Sequence, residues 1–192
     1  MKKLLIPIII IGALVFIGMN AYNGMVTSRN EAEKKWSDLE SAYQQRFEMI
    51  PNLVSIVKGY ANHEKETLEA VVNARAKATQ TKIDLANATP EQIAQYQQAQ
   101  QGLNSALGRL LVTVEKYPDL HANQNFLELQ SQYEGSENRV NVARLKFNKE
   151  ATKYRNRVEK FPNNIFAGIF GFKALPLFKS VDGSEVSPEI QI

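Results

Sequence analysis

Between Lys3 and Arg29 the chain carries no charge, and within that stretch Leu4 to Met19 form one unbroken apolar run, LLIPIIIIGALVFIGM. The uncharged stretch from Leu4 to Ser28 is 25 residues, roughly 37 Å as helix, enough to cross a hydrocarbon core of about 30 Å. Whatever follows must fold with one end tied to a bilayer. A cleaved leader is the competing reading, but its apolar region is about 7 to 15 residues long and closes on a small-x-small site. Here the run ends Gly18-Met19-Asn20-Ala21-Tyr22, a poor site, and the chain has no cysteine for lipoprotein attachment. Residues 1–22 therefore read as an uncleaved anchor, membrane-embedded over 4–22. Lys2 and Lys3 abut the span, whereas Arg29, Lys34 and Lys35 lie farther out among Glu31 and Glu33. The positive-inside rule then places the N-terminus in the cytoplasm and the remaining body outside it.

About 170 residues remain, which suits one domain able to bury its own core. Of the 23 basic residues two are Lys2 and Lys3, leaving 21 against 20 acidic. A body so balanced is no nucleic-acid binder. The lack of cysteine removes disulfides, thiolate metal sites and cysteine nucleophiles together.

From about residue 23 to 161 the apolar residues keep helical spacing. Trp36, Leu39, Tyr43, Phe47 and Ile50 step by three and four, as do Ile93, Tyr96, Leu103, Leu107, Leu110 and Val114. A third stripe runs from Phe126 through Tyr133, Val140, Phe147, Ala151 and Tyr154 to Phe161, and Leu53, Ile56, Val57, Leu68 and Val71 form a wider face. The glutamine-rich QIAQYQQAQQ, residues 92–101, keeps the stripe and reads as a solvated helix face.

Thr89-Pro90-Glu91-Gln92 predicts a capped helix start, Asn125 with Glu128 another, and Asp119 an earlier alternative to it. Pro51 interrupts the first pattern without a surrounding loop. Segments 23–50, 51–86, 90–117 and 126–161 would measure roughly 42, 54, 42 and 54 Å, whereas a single helix over 23–86 would run roughly 96 Å and outreach its partners. The expectation is a reversal at Pro51 and an all-α protein: an N-terminal transmembrane helix followed by an antiparallel four-helix bundle with long helices. Residues 23–178 make up that bundle with its aromatic tail, and 179–192 a frayed C-terminus.

The segment RNEAEKKWSDLESAYQQRFEMIPNLVSIVKGYANHEKETLEAVVNARAKA, residues 29–78, resembles the core signature of the LemA family. The likeness continues in EKYPDLHANQNFLELQ and in SENRVNVARLKFNKEATKYRNRVEKFPNNIFAGIFGF, and so covers essentially the whole chain. The resemblance implies a single-pass bacterial membrane protein with a helical bundle, of no established biochemical activity. It transfers no catalytic residue. Where many relatives carry Tyr-Asn, this chain has Phe147-Asn148, one hydroxyl fewer.

Candidate sites are few. His63-Glu64 lacks the second histidine a zinc protease needs, since position 67 is Thr67. A di-metal carboxylate bundle needs paired Glu-x-x-His, yet the other histidine, His121, follows Pro118 at that spacing. Neither a serine elbow nor a phosphate-binding glycine loop is present, so no enzyme, no catalytic or metal-binding residue and no cofactor is expected. In the four-rod arrangement His63, Glu64, Asn104, Ser105, Glu137, Asn138 and Arg139 fall near one level, predicting a hydrogen-bonded, register-setting polar layer with a Glu64–Arg139 ion pair.

The last helical segment carries eight basic residues between Arg139 and Lys160 against two acidic ones, and five of nine phenylalanines fall between 161 and 178. Lys149, Lys153, Arg155, Arg157, Lys160, Phe166, Phe170 and Phe172 are thus a candidate surface for anionic lipid or a partner. Pro162, Gly168, Gly171 and Pro176 argue against a regular amphipathic helix in the tail and for its folding back on the bundle. The chain reads as a scaffold or adaptor in the bacterial plasma membrane, its body extracytoplasmic and its partner an envelope protein. The alternative is a lipid-surface module.

Overall fold

The computed structural model describes residues 2–61 and 63–179. Among these there are helices and no strand: α1 Lys2–Tyr60, α2 Lys65–Gln80, α3 Pro90–Val114, α4 Pro118–His121, α5 Gln124–Glu159 and α6 Asn163–Phe170, with a 3₁₀ turn at Leu85–Asn87. The frayed end expected over 179–192 lies, past Lys179, outside the described residues.

The first helix is one 59-residue rod, about 88 Å long, and it passes straight through Pro51. The expected reversal there does not exist. Proline at position 51 has no N–H for the carbonyl of Phe47, four residues back. Arg75 of α2 supplies the missing donor, its Nε giving a hydrogen bond to Phe47 O at 3.0 Å. The first helix ends at Tyr60 and the chain has turned back by Lys65, ten or more residues past Pro51, with Glu64 N donating to Ala61 O at 3.1 Å.

Moving the corner preserves the topology, so the outer part of α1 with α2, α3 and α5 still runs up, down, up, down. Register follows from the contacts. Gly24 of α1 meets Arg157 of α5, Trp36 meets Phe147, and Arg46 meets Glu137. On α3, Tyr96 lies by Trp36 and Asn104 by Arg46. At the distal end two tyrosines tie the corners together: Tyr117 donates to Glu64 Oε1 at 3.1 Å, and Asn123 Nδ2 to the Tyr60 oxygen at 2.9 Å.

The helix starts show how local chemistry fixes the other boundaries. Thr89 Oγ1 accepts from Gln92 N at 3.3 Å while Gln92 Oε1 accepts from Thr89 N at 2.9 Å, a reciprocal capping box ahead of Pro90. Asn123, not Asn125, caps α5 by accepting from Phe126 N at 3.1 Å. The sequence from Pro118 to His121 forms the short α4.

Equal rod lengths, the argument for a corner at Pro51, are not needed. With 16 residues α2 is far shorter than the 36-residue α5, and near the anchor α1 and α5 pack as a pair through Met25, Ala32, Ala151 and Tyr154. The flank below the ends of α2 and α3 is covered by the tail. Phe172 touches Tyr22, and Phe178 stacks on Trp36 at 5.9 Å and meets Phe147 at 5.8 Å. From Tyr22 to Trp36 is about 21 Å along α1, and the six residues from Phe172 to Phe178 span about 20 Å when extended. The tail is therefore a taut strap without slack.

Candidate functional site

Two places gather unusual chemistry: a polar layer inside the bundle and an aromatic foot on the anchor. The layer centres on Arg46, the largest fully buried side chain of the fold. Its Nη1 donates to Asn104 Oδ1 at 2.7 Å and to Glu137 Oε1 at 2.5 Å, and its Nη2 donates to Gln100 Oε1. Asn104 Nδ2 closes the ring on Glu137 Oε2 at 2.8 Å, and Gln100 Nε2 reaches Ala78 O at 3.5 Å, joining α2. The guanidinium lies 5.0 Å from the Tyr43 ring centre and 5.7 Å from that of Phe47, and its Nε has no hydrogen-bond partner among the described residues. Burial pushes the phenols of Tyr43, Tyr96 and Tyr133 upward, with the charge of Glu137 adding to the rise at Tyr43 and Tyr133.

Of the seven residues placed in one layer from sequence, the structure brings Asn104 and Glu137 together. His63 is exposed in the corner before α2, and Glu64 is engaged by Tyr117 at the distal end. Ser105 faces solvent. Asn138 and Arg139 are exposed and line a groove of about 380 Å³ with Asp38, Ser41, Gln45 and Lys146. The Glu64–Arg139 ion pair is not among the ion pairs of the described residues. The level was miscounted from Pro51 because the corner sits farther along the chain.

Arg46 and Gln100 were missed, though their spacing could have found them. Arg46 falls at the inward step between Tyr43 and Ile50, and Gln100 between Tyr96 and Leu103. Polar residues at core positions on facing helices were the signal. Sliding either helix by one turn would strip the guanidinium of its acceptors, which costs several kcal/mol inside a protein, so the layer can pin register.

The foot is built where α6 crosses the outer part of the apolar span. Phe166 rests on Gly18, where an added Cβ would approach its ring to 3.1 Å, and Phe170 meets the Tyr22 ring edge-on at 5.1 Å. The tail does form a short helix despite Gly168, contrary to the sequence expectation. Pro162 precedes it and Gly171, in the left-handed conformation, caps it, while Gly168 lies within it. Beyond Gly171 the chain folds back as expected, held by Asn148, whose Nδ2 donates to Phe178 O at 2.9 Å and whose Oδ1 accepts from Phe178 N at 3.1 Å. Gln97 Nε2 adds a bond to Lys179 O at 3.0 Å. In the Phe147-Asn148 pair it is the amide that carries a task.

Every large apolar side chain from Ile6 to Met19 is exposed, between 45% and 67%. On α6, Phe161 just before it and Ile169 within it are 80% and 70% exposed. Lys149, Lys153, Arg155, Arg157 and Lys160 are exposed as well, while Phe166 and Phe172 are half-buried against the fold. Lys153 pairs with Glu150 at 2.8 Å and Arg155 with Glu159 at 2.9 Å on their own helix. Arg157 instead reaches across to α1, donating to Gly24 O at 2.6 Å.

The profile of the LemA family matches residues 35–192. The chain belongs to the LemA family. Protein LemA of Metamycoplasma hominis is 24% identical over 160 residues, covering 83% of this chain and 69% of that one. Magnetosome protein MamQ of Magnetospirillum gryphiswaldense is 24% identical over 210 residues, 98% of this chain and 77% of its own length. Magnetosome protein MamQ 1 of Paramagnetospirillum magneticum is 25% identical over 194 residues, or 91% and 71%. With its exposed apolar helix, this LemA-family chain is a membrane-associated protein of the envelope.

Proposed function

We propose that this LemA-family protein is a non-catalytic scaffold of the bacterial cell envelope, crossing the plasma membrane once through residues 4–22 and holding its bundle upright outside the cytoplasm. The carrying observation is the unbroken α1, which joins anchor and bundle without a hinge. From Gly24 to Tyr60 that rod extends about 54 Å, so the sides of the bundle stand at a fixed height and azimuth. The groove of Asp38, Ser41, Gln45, Asn138, Arg139 and Lys146 is the face offered to an envelope protein, with both signs of charge to orient a partner. Photo-crosslinkers at Ser41 and Arg139 in intact membranes test this. Discrete protein adducts that disappear in Asp38→Lys are expected, and adducts with lipid alone would remove the scaffold reading.

A membrane-organising role is favoured by α6, whose exposed Ile165 and Ile169, with Phe161 just before the helix, lie beside the apolar part of α1. Ile169→Trp in proteoliposomes containing brominated acyl chains is expected to be quenched strongly. Quenching no greater than that of buried Trp36 would dismiss the role.

A further inference from the structure

The cleft on one side of the contact between α6 and α1 has a polarity gradient that runs along the helix axis. Its wall on α1 is Phe16, Ile17 and Ala21, with Asn20 among them donating to Phe16 O at 3.1 Å, and Arg157 closes its upper end at Gly24, around a volume of about 290 Å³. Phe16 and Gly24 are eight residues apart, or about 12 Å of rise. If the hydrocarbon core begins at Leu4, twenty helical residues end it near Asn23. The apolar wall then lies under the core boundary and the guanidinium at the headgroup level.

We propose that this cleft binds one anionic phospholipid, its acyl chain against Phe16, Ile17 and Ala21 and its phosphate on Arg157. The position of Arg157 is prepared by the fold. Gly24 leaves room for it, since a Cβ there would sit 2.9 Å from Nη1, and Gly24 O anchors one of its donors. A guanidinium carries five N–H groups, so donors remain for phosphate oxygens in the fork geometry they prefer. Unlike Lys153 and Arg155, Arg157 is not paired with a carboxylate among the described ion pairs. A free phosphate would satisfy Arg157 but leave the apolar wall bare, which selects the lipid. The proposal rests on residues 4–22 lying in a membrane and is independent of any protein partner.

Native mass spectrometry of the full chain in non-ionic detergent, with phosphatidylglycerol and phosphatidylcholine added at equal concentration, tests it. One phosphatidylglycerol per chain is expected to be retained about tenfold better than phosphatidylcholine, because both phosphates can reach Arg157 but the choline cation of the second offsets its phosphate and is repelled by the guanidinium. Arg157→Gln should abolish the preference while helical content and melting stay as in the parent. Asn20→Trp, which fills the cleft and keeps the cation, should reduce retention of both lipids, and Lys153→Gln should change nothing. Equal retention of the two lipids, undiminished preference in Arg157→Gln, or displacement by millimolar inorganic phosphate would each overturn the site. Loss of the crosslinked protein adducts with lipid retention intact would count against the scaffold reading alone.

Discussion

Pro51 shows how one distant side chain can decide whether a helix continues. Its tolerance depends on Arg75 serving the carbonyl that proline leaves without a donor. Arg75→Ala should therefore cost about 1–2 kcal/mol in urea unfolding of the bundle, the range for an orphaned half-buried carbonyl. In a Pro51→Ala background the cost should shrink to a few tenths, because residue 51 then donates to Phe47 O itself. An additive double-mutant cycle would mean that Arg75 acts through something else. Arg46 and Glu137 supply a second coupled pair. Glu137→Leu leaves a buried guanidinium without its counter-ion and is expected to cost about 3–5 kcal/mol, whereas Arg46→Met combined with Glu137→Leu should recover most of it. Unfolding curves of the two variants and the parent decide the order. From sequence, proline was legible as an interruption, but the compensating donor 24 residues away was not, because only the folded bundle brings Arg75 to α1.

At the level of elements, the strap from Phe172 to Phe178 replaces helix surface that α2 and α3 do not reach. Its clamp is two hydrogen bonds from one amide, worth together about 1–3 kcal/mol. Asn148→Ala should loosen the strap and uncover Trp36, the sole tryptophan of the chain. A red-shifted emission and greater acrylamide quenching are expected, with helical content unchanged. The tyrosines packed beside Arg46 and Trp36 give a pH signature. Tyr43, Tyr96 and Tyr133 are all held above the ordinary value of 10.0, by burial foremost. Their folded-state values are raised, so their contribution is fully present below pH 10 and falls as pH climbs through and beyond it, by up to about 1.4 kcal/mol per unit for each group. Unfolding free energy between pH 9 and 11.5 should decline steeply, and Tyr96→Phe should flatten the slope by about one proton. The helices themselves were legible from stripes and from the Thr89 box, since both are local. The strap was legible only as an apolar tail, because an extended segment held by a side-chain amide has no periodicity to read.

For the whole molecule, parity of reversals matters more than where each reversal falls. An up-down-up-down bundle brings α5 back to the anchor whether the first corner lies at Pro51 or between Tyr60 and Lys65, which is why the basic end and the phenylalanines meet the span although the corner was misplaced. What the displaced corner changes is height. With α1 straight, positions 27 and 59 are 32 residues apart on one rod, about 48 Å. A chain folding back at Pro51 would climb about 36 Å and descend about 12 Å, leaving the same positions about 24 Å apart along the axis. The absence of native cysteine makes this measurable with spin labels at Thr27→Cys and Gly59→Cys, both exposed and the latter with no neighbour to disturb. A narrow distance distribution centred near 48 Å, the same in detergent and in nanodiscs, is expected. A distribution near 24 Å would restore the corner at Pro51, and a broad one would place a hinge in the rod. Either result would take away the fixed height on which the scaffold reading stands, while the lipid cleft at Gly24 and Arg157, below both labels, would be untouched.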